Sequence, residues 1–271
     1  MLIDRILNSF SARKKNFLLR FYRYTRHGMV FQRLQHKYAG KRCFVIGNGP
    51  SLQAEDLEKL KGEFSFASNR VYKIFAKTSW RPMFYCSEDA KMLAGCVNEV
   101  SAMNVAYKFI PYYLHQWYGF SIRNATYFLF DPKQKYGTLG DFCPDAFHGF
   151  GGSSTVTYTA MQMAVFMGFT EIYLLGVDHS FSTSMNNKGE IVIDKTAKDY
   201  FDDSYNADKH KLDIPNTEQS TLAYRAARAY ADQHGIKILN ATRGGKLEVF
   251  DRVDFDSLFS QKPYPQISRI S

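Results

Sequence analysis

The chain has 271 residues, 45% of them hydrophobic, enough to bury one sizeable core, so one domain with insertions is expected rather than two equal ones. No apolar run reaches the roughly 18 residues that a bilayer span requires, and the start lacks the apolar stretch of a secretory signal, so the expectation is a cytoplasmic protein. A net charge of +9, from 35 Lys and Arg against 26 Asp and Glu, points to an anionic partner, and the four cysteines, free of zinc-ligand spacing, read as reduced core thiols.

The basic excess is concentrated at the start. Arg5, Arg13, Lys14, Lys15, Arg20, Arg23, Arg26, Arg33, Lys37, Lys41 and Arg42 face a single acid there, Asp4. Leu2, Ile3, Ile6, Leu7 and Phe10 recur at helical spacing among them, and Phe17, Leu18, Phe21 and Tyr22 follow. Residues 1–40 therefore predict a basic amphipathic helix that either lies on an anionic membrane, at its inner face, or packs on its own domain. Nucleic-acid motifs are missing and the rest of the chain is not basic enough to extend the patch, so no nucleic-acid partner is expected.

The remainder, residues 41–271, alternates strands and helices. Residues 43–46 form a short apolar run that ends in Gly47-Asn48-Gly49-Pro50-Ser51, and a polar helix-forming stretch follows over residues 52–61. Residues 64–67 and 83–85 read as buried strands that give way to Ser68-Asn69-Arg70 and Ser87-Glu88-Asp89. Further on, Gly151-Gly152-Ser153-Ser154 leads into a helix from about Thr155 to Met167, a turn at Gly168, a strand over residues 171–175 and the tip Gly176-Val177-Asp178-His179. Residues 182–215 are polar, dotted with aromatics and weakly periodic, which suits a lid. A helix over residues 217–234, closed by Gly235, and a strand over residues 237–239 complete the pattern. The fold class expected is α/β: a single doubly wound, largely parallel, Rossmann-like sheet with a lid insertion and a basic N-terminal helix.

Glycine at a strand end lets backbone approach a ligand, and the helix that follows offers free amides to an anion. Gly47, Asn48, Gly49, Pro50 and Ser51 are thus a candidate phosphate or ribose cradle, although the run is neither a dinucleotide fingerprint nor a P-loop. Asn69 and Asp89 follow strand ends and are candidates to read a base, a ribose or a sugar hydroxyl, with turn formation as the plain alternative. Gly152, Ser153, Ser154 and Thr155 make a second glycine-serine loop at a helix start, where a hydroxyl also serves as a cap.

The stretch GNGPSL from Gly47 to Leu52, the Asn69 turn, the block from Gly151 to Asp178 ending in MGFTEIYLLGVDHSF, and the closing NATRGGKLEVF from Asn240 to Phe250 resemble the bacterial lipooligosaccharide sialyltransferases and the related domain-of-unknown-function 115 proteins, which also include 6-hydroxymethylpterin diphosphokinases. The resemblance implies a sialyltransferase-type glycosyltransferase. Its donor would be a nucleotide sugar, CMP-sialic acid or a related nonulosonic acid, bound across the strand ends with no required cofactor or metal, and its acceptor a cell-surface glycan. Carried over by position, Asn48, Gly49, Ser51 and Asn69 would line the donor, Ser154 and Thr155 the nucleotide, and Asp178 its ribose or base. Where the sialyltransferases carry an Asn this chain has Cys86, and in place of a Tyr two residues after the acid it has Ser180, so Tyr200 or Tyr205 is expected to donate to the leaving phosphate. Their general-base histidine precedes the helix after the lid, a place where this chain has Asp213 with His210 just upstream, while His179 competes from the strand tip.

Two rival functions remain at this level: a pterin diphosphokinase using ATP and magnesium, with Asp89 and Asp178 as carboxylates, and a catalytically silent nucleotide-binding accessory protein. Homo-oligomerisation is open. The donor residues are expected to converge on one face of the sheet.

Overall fold

The computed structural model describes residues 21–131, 142–152, 155–207 and 213–260. Its frame is a seven-stranded sheet in the order β11-β8-β1-β2-β3-β4-β5, in which every pairing is parallel. The strands are β1 (Arg42–Ile46), β2 (Ser65–Ser68), β3 (Phe84–Cys86), β4 (Tyr107–Pro111), β5 (Ala125–Phe128), β8 (Glu171–Leu175) and β11 (Lys237–Asn240). Short pairs β6 (Phe130–Asp131) with β7 (Phe150–Gly151), and β9 (Thr183–Met185) with β10 (Ile191–Ile193), lie outside it.

Both faces of the sheet are covered, which is why its strands are apolar without alternation. Cys43 and Val45 of β1 join one core with helices α1 (Arg26–Leu34), α6 (Val156–Phe166) and α7 (Thr217–His234). Phe44 and Ile46 join the opposite core with α2 (Ala54–Lys59), α3 (Ala90–Ala94), α4 (Val97–Ala102) and α5 (Tyr112–Tyr118). Helix α6 is buried nearly all round, hence its mostly apolar sequence, and its buried polar side chains Thr159 and Gln162 are hydrogen-bonded. Cys43, Cys86 and Cys96 are free and buried, and burial pushes the Cys43 thiol up.

From Phe21 onward the N-terminal segment packs on the sheet. Tyr22 donates to the Tyr127 carbonyl at 2.9 Å, Phe31 packs between Phe109 and Phe150 at 5.2 and 5.8 Å, and Tyr38 stacks on Phe169 at 4.9 Å. Apolar residues among basic ones satisfy a lipid surface or a protein core equally well, and for these residues the core is what they meet. Residues 1–20 lie outside the described residues. Among the described residues no helix is long and apolar enough to cross a membrane.

The insertion over residues 182–215, expected to be a lid, contains more order in its described residues than its weak periodicity announces. Gly189, at φ +82°, closes the β9–β10 hairpin, and the register Met185 to Ile191 follows from that turn. The stretch between residues 90 and 125, which carries no clear sequence period, supplies α3, α4, β4 and α5. Lys108 in the middle of β4 is buried and gives its ammonium to the carbonyls of Ser101 at 2.8 Å and Arg123 at 3.2 Å, tying helix α4 to the turn before β5. A buried charge in a strand is what hides that strand from a hydropathy pattern.

Phe84 has no exposed surface and stacks on Phe66 at 4.4 Å and Tyr107 at 5.5 Å. Phe84→Ala is expected to cost about 3–5 kcal/mol of unfolding free energy, read as a lower urea midpoint at unchanged slope.

Candidate functional site

The chain adds strands β2 to β5 on one side of β1, then crosses to lay β8 and β11 on the other. The β1/β8 boundary is therefore the switch point of the sheet, where open α/β sheets form a crevice beyond the strand ends. Both strands leave that boundary through glycine. Gly47 donates to the Leu175 carbonyl at 2.8 Å and Gly49 to the Gly176 carbonyl at 2.9 Å. A Cβ on Gly47 would stand 2.3 Å from the Gly176 oxygen, and one on Gly49 would stand 1.9 Å from Oδ2 of Asp178. No side chain fits at either place.

The carboxylate that fills this space is held there. Asp178 Oδ2 accepts from the Ser51 hydroxyl at 2.8 Å, and burial raises its pKa against that bond. Its main chain is fixed from the far end of the sequence, since Lys246 N donates to the Asp178 carbonyl at 2.7 Å and Val177 N to the Thr242 hydroxyl at 3.1 Å. The closing NATRGGK run is thus a brace for the β8 tip, and Gly245, at φ +77°, lies against Asp178 with no room for a side chain.

Around the switch point opens a cavity of about 570 Å³. Gly47, Asn48, Gly49, Asn69, Asp89, Gly152, Thr155, Asp178, His179, Tyr200, Tyr205 and Asp213 all line it. Pro50 and Ser51 do not line it, and the Ser51 hydroxyl is turned to Asp178 instead. Ser153, Ser154 and His210 lie outside the described residues.

Several of these side chains are already occupied. Asn48 gives Nδ2 to the carbonyl and hydroxyl of Ser68 at 3.2 and 3.3 Å, while its buried Oδ1 has no partner among the described residues. Asn69 sits at φ +54°, a conformation Asn tolerates better than most residues, and accepts from the Ser87 hydroxyl at 2.9 Å. Asp89 caps α3 through Met92 N at 2.9 Å, and burial raises its pKa. Asp213 is exposed and paired with Lys91. Tyr205 is buried and its hydroxyl accepts from Arg70 N at 3.2 Å, with Tyr200 stacked on its ring at 4.0 Å. Burial pushes Tyr200 up to about 12. The insertion is fastened to the glycine turn itself, because Phe201 N donates to the Asn48 carbonyl at 3.2 Å.

His179 is a non-glycine residue at φ +53°. The Thr221 hydroxyl donates to the Thr217 carbonyl at 2.8 Å, so at its 2.8 Å contact with His179 it accepts from Nε2–H, which leaves Nδ1 as the ring's acceptor. Burial lowers the His179 pKa, against a backbone hydrogen bond to Thr217 that raises it.

Glu88 also lines the cavity, and the sequence alone did not single it out. Burial raises its carboxyl to about 7, against the bond that Oε2 accepts from the Thr159 hydroxyl at 2.7 Å and with the help of the neighbouring Asp89 charge. The acidic Ser87-Glu88-Asp89 run at a strand end was visible, but the helix whose Thr159 bonds Glu88 comes from 71 residues further along.

Two helices aim their N-termini into the same space. Thr155 caps α6 through Thr157 N at 3.3 Å and Asn216 caps α7 through Gln219 N at 2.9 Å, and Thr155, Thr157, Asn216 and Gln219 all line the cavity. Their dipoles bring positive potential to a chamber that otherwise carries Glu88, Asp89, Asp178, Asp199 and Asp213 against Lys91. Gly152 packs under Phe130, whose ring would be 2.0 Å from a Cβ there, and Gln162 bonds both backbone groups of Gly151 at 2.9 and 2.8 Å. Among the described residues no group of three or more His, Cys, Asp or Glu is placed to hold a metal ion. A second cleft of about 520 Å³ lies across His179 between α7 and the closing loop, and Arg228 and Lys246 on its wall are paired with Asp251 and Asp194.

A doubly wound parallel sheet with facing glycine turns and a polar chamber at its switch point defines an α/β domain of the Rossmann-like class. Within that class the chain belongs to the MptE-like family, described as 6-hydroxymethylpterin diphosphokinase MptE-like, whose profile matches residues 15–184. Among solved structures it is similar to the sialyltransferase CstII from Campylobacter jejuni in complex with a substrate analogue, cytidine-5'-monophosphate, at 16% identity and a TM-score of 0.42, covering 79% of this chain and 85% of that one. No curated protein matches the chain in sequence.

The raised Glu88 pKa has a consequence for stability. The folded state prefers the protonated form, so this group's contribution is fully present below the unfolded value near 4.5 and is lost as pH rises through about 7. Glu88→Gln keeps an acceptor for Thr159 and removes the titration. The melting temperature of the wild type is expected to fall relative to the variant between pH 5 and 7.5, measured by calorimetry in matched buffers.

Proposed function

We propose that the protein is a glycosyltransferase that takes a sugar from a nucleotide sugar, with CMP as the carrier, and passes it to the hydroxyl of a glycan acceptor. The observation that carries this is the convergence, at one switch point, of two abutting glycine turns and two helix N-termini. The dipoles of α6 and α7 favour an anion there, the Gly47 and Gly49 amides being spent on Leu175 and Gly176. The other cavity walls are acidic, so a donor joined through a single phosphodiester suits the balance of charge better than a triphosphate. The unpartnered Asn48 Oδ1 is an acceptor for a donor hydroxyl.

Glu88 is the base in this scheme. Its carboxylate takes the acceptor hydroxyl proton as the oxygen bonds to the anomeric carbon, the bond from that carbon to the phosphate oxygen breaks, and the nucleotide leaves with the electron pair on the face of α6 and α7. A pKa near 7 is matched to this task at neutral pH. Tyr200 stands over the cavity as a donor to the leaving phosphate, whereas the Tyr205 hydroxyl is engaged with Arg70.

A second activity, transfer of pyrophosphate from ATP to a hydroxymethyl pterin, is favoured by the description of the family and by the adjacent carboxylates Glu88 and Asp89, which suit magnesium. A thermal-shift series with CMP, CDP, UDP, GDP and ATP, each with and without magnesium, separates the two. CMP at 100 times its dissociation constant should add about 2.7 kcal/mol and so raise the melting temperature by roughly 5–10 °C without magnesium. A shift with ATP and magnesium alone assigns the diphosphokinase activity, and binding without turnover assigns an accessory role. With a CMP-sugar donor, Glu88→Gln should lower kcat by about 10²- to 10⁴-fold with little change in CMP affinity, and wild-type kcat/KM should rise with pH through about 7. Loss of turnover in His179→Ala or His210→Ala, with Glu88→Gln active, would move the base to that histidine.

A further inference from the structure

Helix α5 ends in Trp117 and Tyr118, which expose 65% and 57% of their surface, while Leu114 on the same helix is fully buried. Exposed neighbouring aromatics are uncommon without a partner. Tyr118 lines the mouth of the cavity and stacks on Phe120 at 5.7 Å, and Trp117 leans on Tyr113, one helical turn back, at 5.6 Å. Tyr113 contacts Phe130 at 5.5 Å, and Phe130 lies on the backbone of Gly152 inside the cavity. The Tyr113 hydroxyl donates to the Glu88 carbonyl at 2.9 Å. An aromatic track thus runs from solvent at Trp117 to the wall beside Glu88.

We propose that this track is a carbohydrate-binding platform for the acceptor, a reading that rests on the glycosyltransferase function and adds the place where the second substrate docks. The electron-rich faces of Trp and Tyr attract the C–H face of a pyranose, and the polar edge of the sugar stays in water or reaches the cavity carboxylates. Geometry selects a chain of sugars over a flat heterocycle. Consecutive helix residues point about 100° apart, so the rings of Trp117 and Tyr118 do not face each other across a slot. Each instead offers a separate surface, Trp117 beside Tyr113 and Tyr118 beside Phe120. Charge argues against an anionic bilayer as the occupant, because the mouth beside Tyr118 carries Asp89 and Asp213 against Lys91 alone.

The chain provides its own reporter. Of its two tryptophans, Trp80 is 1% exposed and Trp117 lies on the platform, so a ligand-induced change in tryptophan emission at the surface belongs to Trp117. The full chain would be titrated with lactose, cellobiose and diacetylchitobiose at millimolar concentration. The expected result is a saturable emission change in the wild type. Trp117→Phe should remove the signal but keep saccharide binding, as followed by saturation-transfer NMR of the sugar protons. Trp117→Ala should weaken saccharide binding at least about tenfold with CMP affinity unchanged, and Tyr118→Ala should weaken saccharide binding as well. The proposal is overturned if no saccharide perturbs Trp117, if Trp117→Ala binds saccharide as the wild type does, or if only phosphatidylglycerol vesicles or 6-hydroxymethylpterin change the emission. Saccharide binding without any CMP-induced stabilisation would sink the donor assignment and leave the platform standing, and CMP binding without saccharide binding would do the reverse.

Discussion

Two backbone turns meet where β1 and β8 leave the sheet, and neither position 47 nor position 49 has room for a single methyl group. The meeting depends on the hydrogen bonds from Gly47 to Leu175 and from Gly49 to Gly176, which place the Asp178 carboxylate under the turn and against Ser51. The rest of the cavity is arranged about this joint. The insertion after β8 is hung from it through Phe201, the closing loop is fastened to it through Lys246 and Thr242, and α6 and α7 open toward it.

The chamber is acidic in side chains and positive in backbone, a division that separates two tasks. The fixed dipoles of α6 and α7 attract an anion with no deprotonation and no flexible side chain. The carboxylates are left to titrate, and burial tunes them upward: Glu88 most, with Asp89 and Asp178 in the same direction. A lysine-lined chamber would have depressed those same carboxyls and left no group poised near neutrality.

Features set by backbone constraint were legible in the sequence. Gly47-Asn48-Gly49 and Gly176 announce tight turns whatever surrounds them, and the strands before them, with the long amphipathic helix over residues 217–234, follow from local pattern. What depends on distant partners was not legible. Glu88 becomes unusual through Thr159 on another helix, Ser51 turns inward because Asp178 comes to meet it, and β4 hides behind a buried lysine. Phe31 and Tyr38 carry the same periodicity that a lipid-binding helix would show, and only the aromatic rings waiting on the sheet reveal their use.

The brace from Thr242 and Lys246 to the β8 tip sets a schedule for the growing polypeptide. On a ribosome the glycine turn of β1 is made early and the Asp178 tip well before the residues that secure it. Because strand β11 must dock before the closing loop can reach the tip, the chamber is finished only as the last strand joins the sheet. A message cut short before codon 246 therefore leaves the β8 tip without its brace and the cavity beside it unfinished.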